Sequence, residues 1–194
     1  MPALLSEVEG GTRDRIIDAA IALFAEQGYQ AISMRDLARQ VGVNPGSLYS
    51  HIESKQELLY EILELTLSNL IASTQRSTKR HATPAKKLQA FLQSFSSFRQ
   101  VDRRGLILLY REIMSLDVKR QADIRSLQQR YLLLLEDILS LIYFDAVPGR
   151  LSYLSKMVIG FLFGQLQWSD GDLNEKLLMA HLTRFVTESA SQHA

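Results

Sequence analysis

Residues 33–59 read SMRDLARQVGVNPGSLYSHIESKQELL, and this stretch decides the fold. It divides into two short helices joined by a tight turn, followed by the start of a longer helix. Met34, Leu37 and Ala38 recur at helical spacing and face inward from the first. Gly42 stands where the chain must turn, since glycine accepts the positive φ that such a turn requires. Val43 follows as an apolar plug. Asn44 and Pro45 form an N-cap and a first helical residue for the second helix. That helix offers only Leu48 and Ile52 to a core. A short polar helix held against another by a glycine turn can enter the major groove of DNA.

Ser33 to Leu59, with TRDRIIDAAIALFAEQGYQAIS before it, closely resembles the TetR family of transcriptional regulators. The pieces that carry the resemblance are TRDRIIDAA, LFAEQGY, SMRDLARQVGV, GSLYSHI and SKQELL, in the family's order and spacing. Ile52 departs from the family's usual Phe, a change expected to alter packing behind the recognition helix. The resemblance implies an N-terminal helix-turn-helix domain and a C-terminal domain that binds an effector and dimerises.

Composition narrows the alternatives. A chain of 194 residues can bury a full core. It has no Cys, which removes disulfides, thiolate metal sites and a Cys nucleophile, and suits a reducing cytoplasm. No apolar run reaches the roughly 20 residues of a membrane helix. Residues 1–11 lack the features of a signal peptide and are expected to form a mobile arm. The net charge is +1, and residues 12–60 hold five cations against six carboxylates. DNA affinity must therefore come from where charges and N–H groups point, and from two copies acting together. His51, His81, His181 and His193 lack metal-ligand spacing, and no nucleophile or phosphate-loop motif is present. No metal, cofactor or catalytic residue is expected.

The whole chain reads as all-α, with about nine helices. A first helix from Thr12 carries Ile16, Ile17, Ala20, Leu23 and Phe24 on one face and ends at Gly28. After the two short helices, the periodicity predicts helices over 53–74, 85–100, 103–114, 119–143, 150–168 and 173–189, with a polar junction at 73–84. The expected division is a helix-turn-helix domain over 12–56 and a helical effector-binding and dimerisation domain over 57–194. The last two helices are apolar over wide faces and must bury them. The resemblance implies a homodimer through residues 150–189.

Candidate DNA contacts fall into two groups. For phosphates, the Ser33 hydroxyl at a helix N-terminus is one candidate. Tyr49, His51 and Lys55 are the others, a role the resemblance also implies. Tyr49 could instead pack on the preceding helix, and Lys55 could be solvated. For bases, Asn44, Pro45, Gly46, Ser47 and Ser50 line the exposed start and face of the recognition helix. Arg35 could reach a guanine or pair with a neighbouring acid.

The C-terminal part carries aromatics with polar groups among them. Phe95, Phe98, Tyr110, Tyr131, Phe161 and Trp168 are either core or the lining of a cavity, with Arg99, Arg111 or Gln165 holding a polar end. Gly164 is the expected point at which such a cavity could be filled. The stretches RRGLILLYREIMSLD and GFLFGQLQWSDGDL resemble the branch of the family that controls lipid, fatty acid or steroid catabolism, which implies a small apolar or acyl-CoA-like effector. The expected function is a ligand-released repressor that binds a near-palindromic double-stranded DNA operator. The rival is a helical small-molecule carrier or protein-interaction module with no operator.

Overall fold

The computed structural model describes residues 11–143, 149–168 and 175–191. Within them lie nine α-helices and one 3₁₀ turn, and no strand. They are α1 Thr12–Gln27, α2 Met34–Val41, α3 Pro45–Tyr49, α4 Lys55–Lys79, α5 Pro84–Val101, α6 Arg103–Arg111, α7 Val118–Ser140, α8 Arg150–Trp168 and α9 Glu175–Ser191, with the 3₁₀ turn Ile113–Ser115 between α6 and α7. The expected N-terminal arm, the 145–149 break up to its Gly149, the turn before α9 and His193 lie outside the described residues.

Residues 73–79 continue α4 rather than opening a junction. Their polar side chains serve the helix and its neighbour. Ser73 and Thr78 donate to the carbonyls of Leu70 and Thr74, each at 2.9 Å. Buried Thr74 pairs with Ser94 of α5 at 3.2 Å, which satisfies both hydroxyls inside the bundle. The 103–114 helix is in fact broken. α6 stops at Arg111, and Glu112 turns the chain into the 3₁₀ segment.

One continuous apolar core runs through the described molecule. Ile16 and Phe24 of α1, Leu37 of α2 and Leu48 of α3 bury against Leu58, Leu59 and Ile62 at the start of α4. The same helix continues with Leu63, Leu67 and Leu70 into a second layer with Phe91, Phe95, Leu106, Tyr131, Leu135 and Val158. Each such side chain contributes about 1.5–3 kcal/mol when fully buried. α4 thus ties the N-terminal helices to the C-terminal ones through a single unbroken rod.

α6 lies across this junction. Arg104 at its start pairs with Glu26 of α1 at 2.6 Å. Arg111 at its end donates to the Ala25 carbonyl at 3.4 Å. Arg103 donates to the Leu166 carbonyl of α8 at 3.4 Å. Arg120 of α7 pairs with Glu57 near the start of α4 and with Asp117. No described helix is long and apolar enough to cross a membrane.

Candidate nucleic-acid interface and effector cavity

The turn between α2 and α3 is built as its sequence requires. Gly42 adopts φ 78° and ψ 31°, and its N–H reaches the carbonyls of Ala38 and Arg39 at 3.0 and 3.2 Å. A left-handed residue here satisfies the end of α2 and reverses the chain. Asn44 then caps α3, accepting the Ser47 N–H at 2.7 Å, with Pro45 in the first turn. Leu48 and Ile52 are the buried anchors of this segment, so Ile52 fills the space behind the recognition helix. Arg15 of α1 donates to the Val41 carbonyl at 2.8 Å and fixes α2 from behind.

With Leu48 and Ile52 inward, the other residues of α3 face solvent. Asn44, Pro45, Gly46, Tyr49, Ser50 and His51 are exposed and Ser47 is half-buried. Tyr49 is 55% exposed, which sets aside packing on α2. A Cβ added at Gly46 would meet only the Asn44 Oδ1, at 3.4 Å, so the protein's own packing leaves room for one. Ser50 donates to the Ser47 carbonyl at 2.7 Å. Arg35 is exposed and forms no ion pair among the described residues; the acid beside it, Asp36, pairs with Arg39 at 3.2 Å.

Two expected phosphate contacts stand differently from the sequence reading. The Ser33 hydroxyl is committed to a capping box: it accepts the Asp36 N–H at 3.2 Å and donates to the Asp36 carboxylate at 2.5 Å. These bonds, with Arg39, hold the Asp36 carboxyl below its usual range. The N-terminus of α2 already faces its own carboxylate, which disfavours a phosphate there. Lys55 is not a plain solvated lysine. Its ammonium lies 4.1 Å from the Tyr29 ring centroid and 5.9 Å from that of Phe24. Burial lowers its pKa, and the charge of Glu112 partly opposes the shift. Glu112 is itself buried, and its carboxylate accepts from the Ser115 hydroxyl at 2.9 Å.

A cavity of about 600 Å³ opens between α4, α6, α7 and α8. Its wall combines Leu67, Leu109, Tyr110 and Ile113 with two matched stripes. On α7 the stripe is Arg125, Gln128, Gln129 and Leu132; on α8 it is Lys156, Ile159, Gly160 and Phe163. Tyr131 completes the wall and stacks on Phe91 with ring centroids 5.0 Å apart. Its hydroxyl is buried without a hydrogen-bond partner. Burial raises its pKa, an effect that the nearby Thr74 hydroxyl partly opposes.

Of the ligand candidates named from sequence whose side chains are described, the structure brings Tyr110 and Tyr131 to this wall. Phe95 stands behind it, 5.2 Å from the Phe163 ring, and Phe98 packs on the core. Arg99 and Gln165 are half-buried elsewhere than on the wall. Arg111 points away, to the Ala25 carbonyl of α1. The Trp168 side chain lies outside the described residues. Gly164 is not on the wall; Gly160 is. Phe161 faces another way, 40% exposed in an apolar groove of about 310 Å³ with Met157, Val158, Leu178, His181, Leu182 and Phe185. The missed residues share a signal: both stripes follow i, i+3, i+4, i+7, a helical face that a search for aromatics overlooks.

This two-part geometry has close relatives. Residues 16–62 match the profile of bacterial regulatory proteins of the tetR family. Over those residues the chain carries the N-terminal domain of the tetR family. It is 30% identical over 113 residues to the HTH-type transcriptional repressor KstR2 of Mycolicibacterium smegmatis, a match covering 58% of this chain and 52% of that one. The chain thus spans about half the length of the curated relatives it matches. The fold resembles PfmR, a TetR family transcriptional regulator from Thermus thermophilus, with a TM-score of 0.80 and 26% identity over 90% of this chain and 98% of that one. It also resembles AibR, solved in complex with isovaleryl coenzyme A and operator DNA, with a TM-score of 0.79 and 20% identity over 90% of this chain and 97% of that one.

Proposed function

We propose that the protein is a transcriptional regulator that binds a near-palindromic DNA operator as a homodimer and is released by a small ligand. The observation that carries this reading is α3, whose polar face is exposed while Leu48 and Ile52 pin it to the domain. Residues 12–56 act as the DNA-binding domain and 57–194 as the effector-binding and dimerisation domain. Tyr49, His51 and Lys55 position the helix on phosphates. Asn44, Pro45, Gly46, Ser47 and Ser50 face base edges, with Arg35 at the side. The exposed apolar groove of α8 and α9 supports pairing with a second copy through residues 150–189. Two recognition helices about 34 Å apart would then meet successive major grooves.

The cavity supports an effector, and the name of the KstR2 repressor and the AibR complex support its role and its acyl-CoA or lipid-like kind. α6 walls the cavity with Leu109 and Tyr110 and grips α1 through Arg104 and Arg111. A ligand that fits one position of α6 better than another shifts the population of DNA-binding geometries. Selection of bound DNA from a random pool, repeated with candidate acyl-CoAs, tests the reading. A two-fold motif whose recovery falls with ligand is expected. Failure to select any motif would leave a helical carrier or interaction module.

A further inference from the structure

We propose that the cavity takes an anionic amphiphile, its apolar chain along the inner wall and its acidic group at the Arg125 guanidinium. The inference rests on the effector reading above only for its consequence at the operator. The inner wall is apolar: Leu67, Leu109, Ile113, Leu132, Ile159 and Phe163. Among the described residues, two charged side chains stand on the wall, Arg125 and Lys156; both are cations, and no described acid lies on it. Neither forms an ion pair with any described residue. Most other arginines at the junction are already taken up: Arg104 by Glu26, Arg111 by a carbonyl, Arg120 by two carboxylates.

Arg125 is solvent-exposed on the wall, and two side-chain contacts orient its guanidinium. Its Nη2 donates to the Gln121 Oε1 at 3.2 Å and reaches the Met114 sulfur at 3.9 Å. Both partners are neutral, so these contacts place no carboxylate on the guanidinium, and its further N–H donors remain for a carboxylate or phosphate. Tyr110 and Ile113 bring the wall to the segment that carries Met114. Lys156 begins the stripe on α8 as Arg125 begins the stripe on α7. Arg125 is the anchor, because it is positioned before any ligand arrives. The sign of the wall admits anions and disfavours cationic amphiphiles. The same chemistry serves a free fatty acid, through its carboxylate, or an acyl-CoA, through its phosphates.

The test is calorimetric titration of the full-length protein with decanoate, decanoyl-CoA, decanol and decyltrimethylammonium, each below its micelle concentration. At least one of the two anions should bind about tenfold or more tighter than decanol, and the cation weakest. Whichever anion binds identifies the acidic group. Arg125→Gln should bring that anion down to the affinity of decanol and leave decanol unchanged. Lys156→Gln should do less. Equal binding of decanol and both anions, no binding of any probe, or an anion preference that survives Arg125→Gln would overturn the site. Selection of DNA by the same preparations separates the two failures: a selected motif with no anion preference sinks the site alone, and anion binding with no selected motif sinks the regulator reading alone.

Discussion

The Lys55 ammonium stands 4.1 Å from the centre of the Tyr29 ring, beneath the loop that follows α1. Burial there lowers its pKa, while the Glu112 charge partly restores it. Lys55 therefore belongs both to the face beside the recognition helix and to the seam with α6. Lys55→Ala should weaken DNA binding about equally for all sequences and lower the salt slope by about one unit for each phosphate interaction removed. Affinity measured across a salt series checks this. An altered base preference with an unchanged slope would contradict it.

Gly46 separates folding from DNA contact. A Cβ there meets nothing nearer than the Asn44 Oδ1 at 3.4 Å, which is ordinary contact. Gly46→Ala should leave the thermal midpoint within the range of a neutral surface change, about 0.5 kcal/mol. DNA affinity should fall clearly, because the methyl group would lie between backbone and groove. Unchanged affinity would place the groove elsewhere.

The helix-turn-helix segment was legible because its signals are local. Ser33, Gly42, Asn44 and Pro45 each do their structural work within a few residues. Ser33 shows the limit: the sequence marks it as a cap, but its hydroxyl is also engaged by the carboxylate of Asp36, three residues on. The cavity was less legible because it depends on which faces of α7 and α8 meet. Aromatic content selected Phe95, which lies behind the wall, and Phe161, which lies on the exposed groove. The end of α4 was misplaced because buried Thr74 and Ser94 satisfy each other, a tertiary pairing that no local polarity scale contains.

Asp102 caps α6 by accepting the Gly105 N–H at 2.9 Å, and it accepts from the Thr66 hydroxyl at 3.3 Å. Burial nevertheless raises its pKa above 3.8, outweighing both hydrogen bonds. The folded protein thus holds this proton more tightly than the unfolded chain. Ionisation costs stability above the raised pKa, and the cost is relieved as pH falls through that value toward 3.8. Asp102→Asn keeps the cap acceptor and should remove this part of the pH dependence with little loss at neutral pH. Asp102→Ala should cost about 1 kcal/mol through the lost cap. Chemical denaturation at acidic and neutral pH reads both.

The α8–α9 groove gives the dimer a specific test. Phe185 is 50% exposed and lines the groove with Leu178, His181 and Phe161. Phe185→Glu combined with Leu178→Glu should yield monomer or aggregate by light scattering, because carboxylates cannot be buried unpaired at a two-fold contact. A folded dimer that survives both changes would remove these helices from the interface.

Gly160 lines the cavity, and a Cβ built on it meets nothing within 4 Å. Gly105 is the contrast, since a Cβ there would approach Asp102 and Thr66 to 2.5 Å. Gly160→Leu should therefore fill empty space rather than displace neighbours. Leucine is also the better helix former, by about 0.8 kcal/mol. The thermal midpoint should hold or rise, while effector binding falls and DNA binding becomes insensitive to effector. The natural protein should show a ligand-dependent rise in melting temperature, because ligand binds only the folded state. In Gly160→Leu that rise should disappear while DNA affinity without ligand persists. If the ligand still stabilises Gly160→Leu as much as the natural protein, the effector sits somewhere other than between α4, α6, α7 and α8.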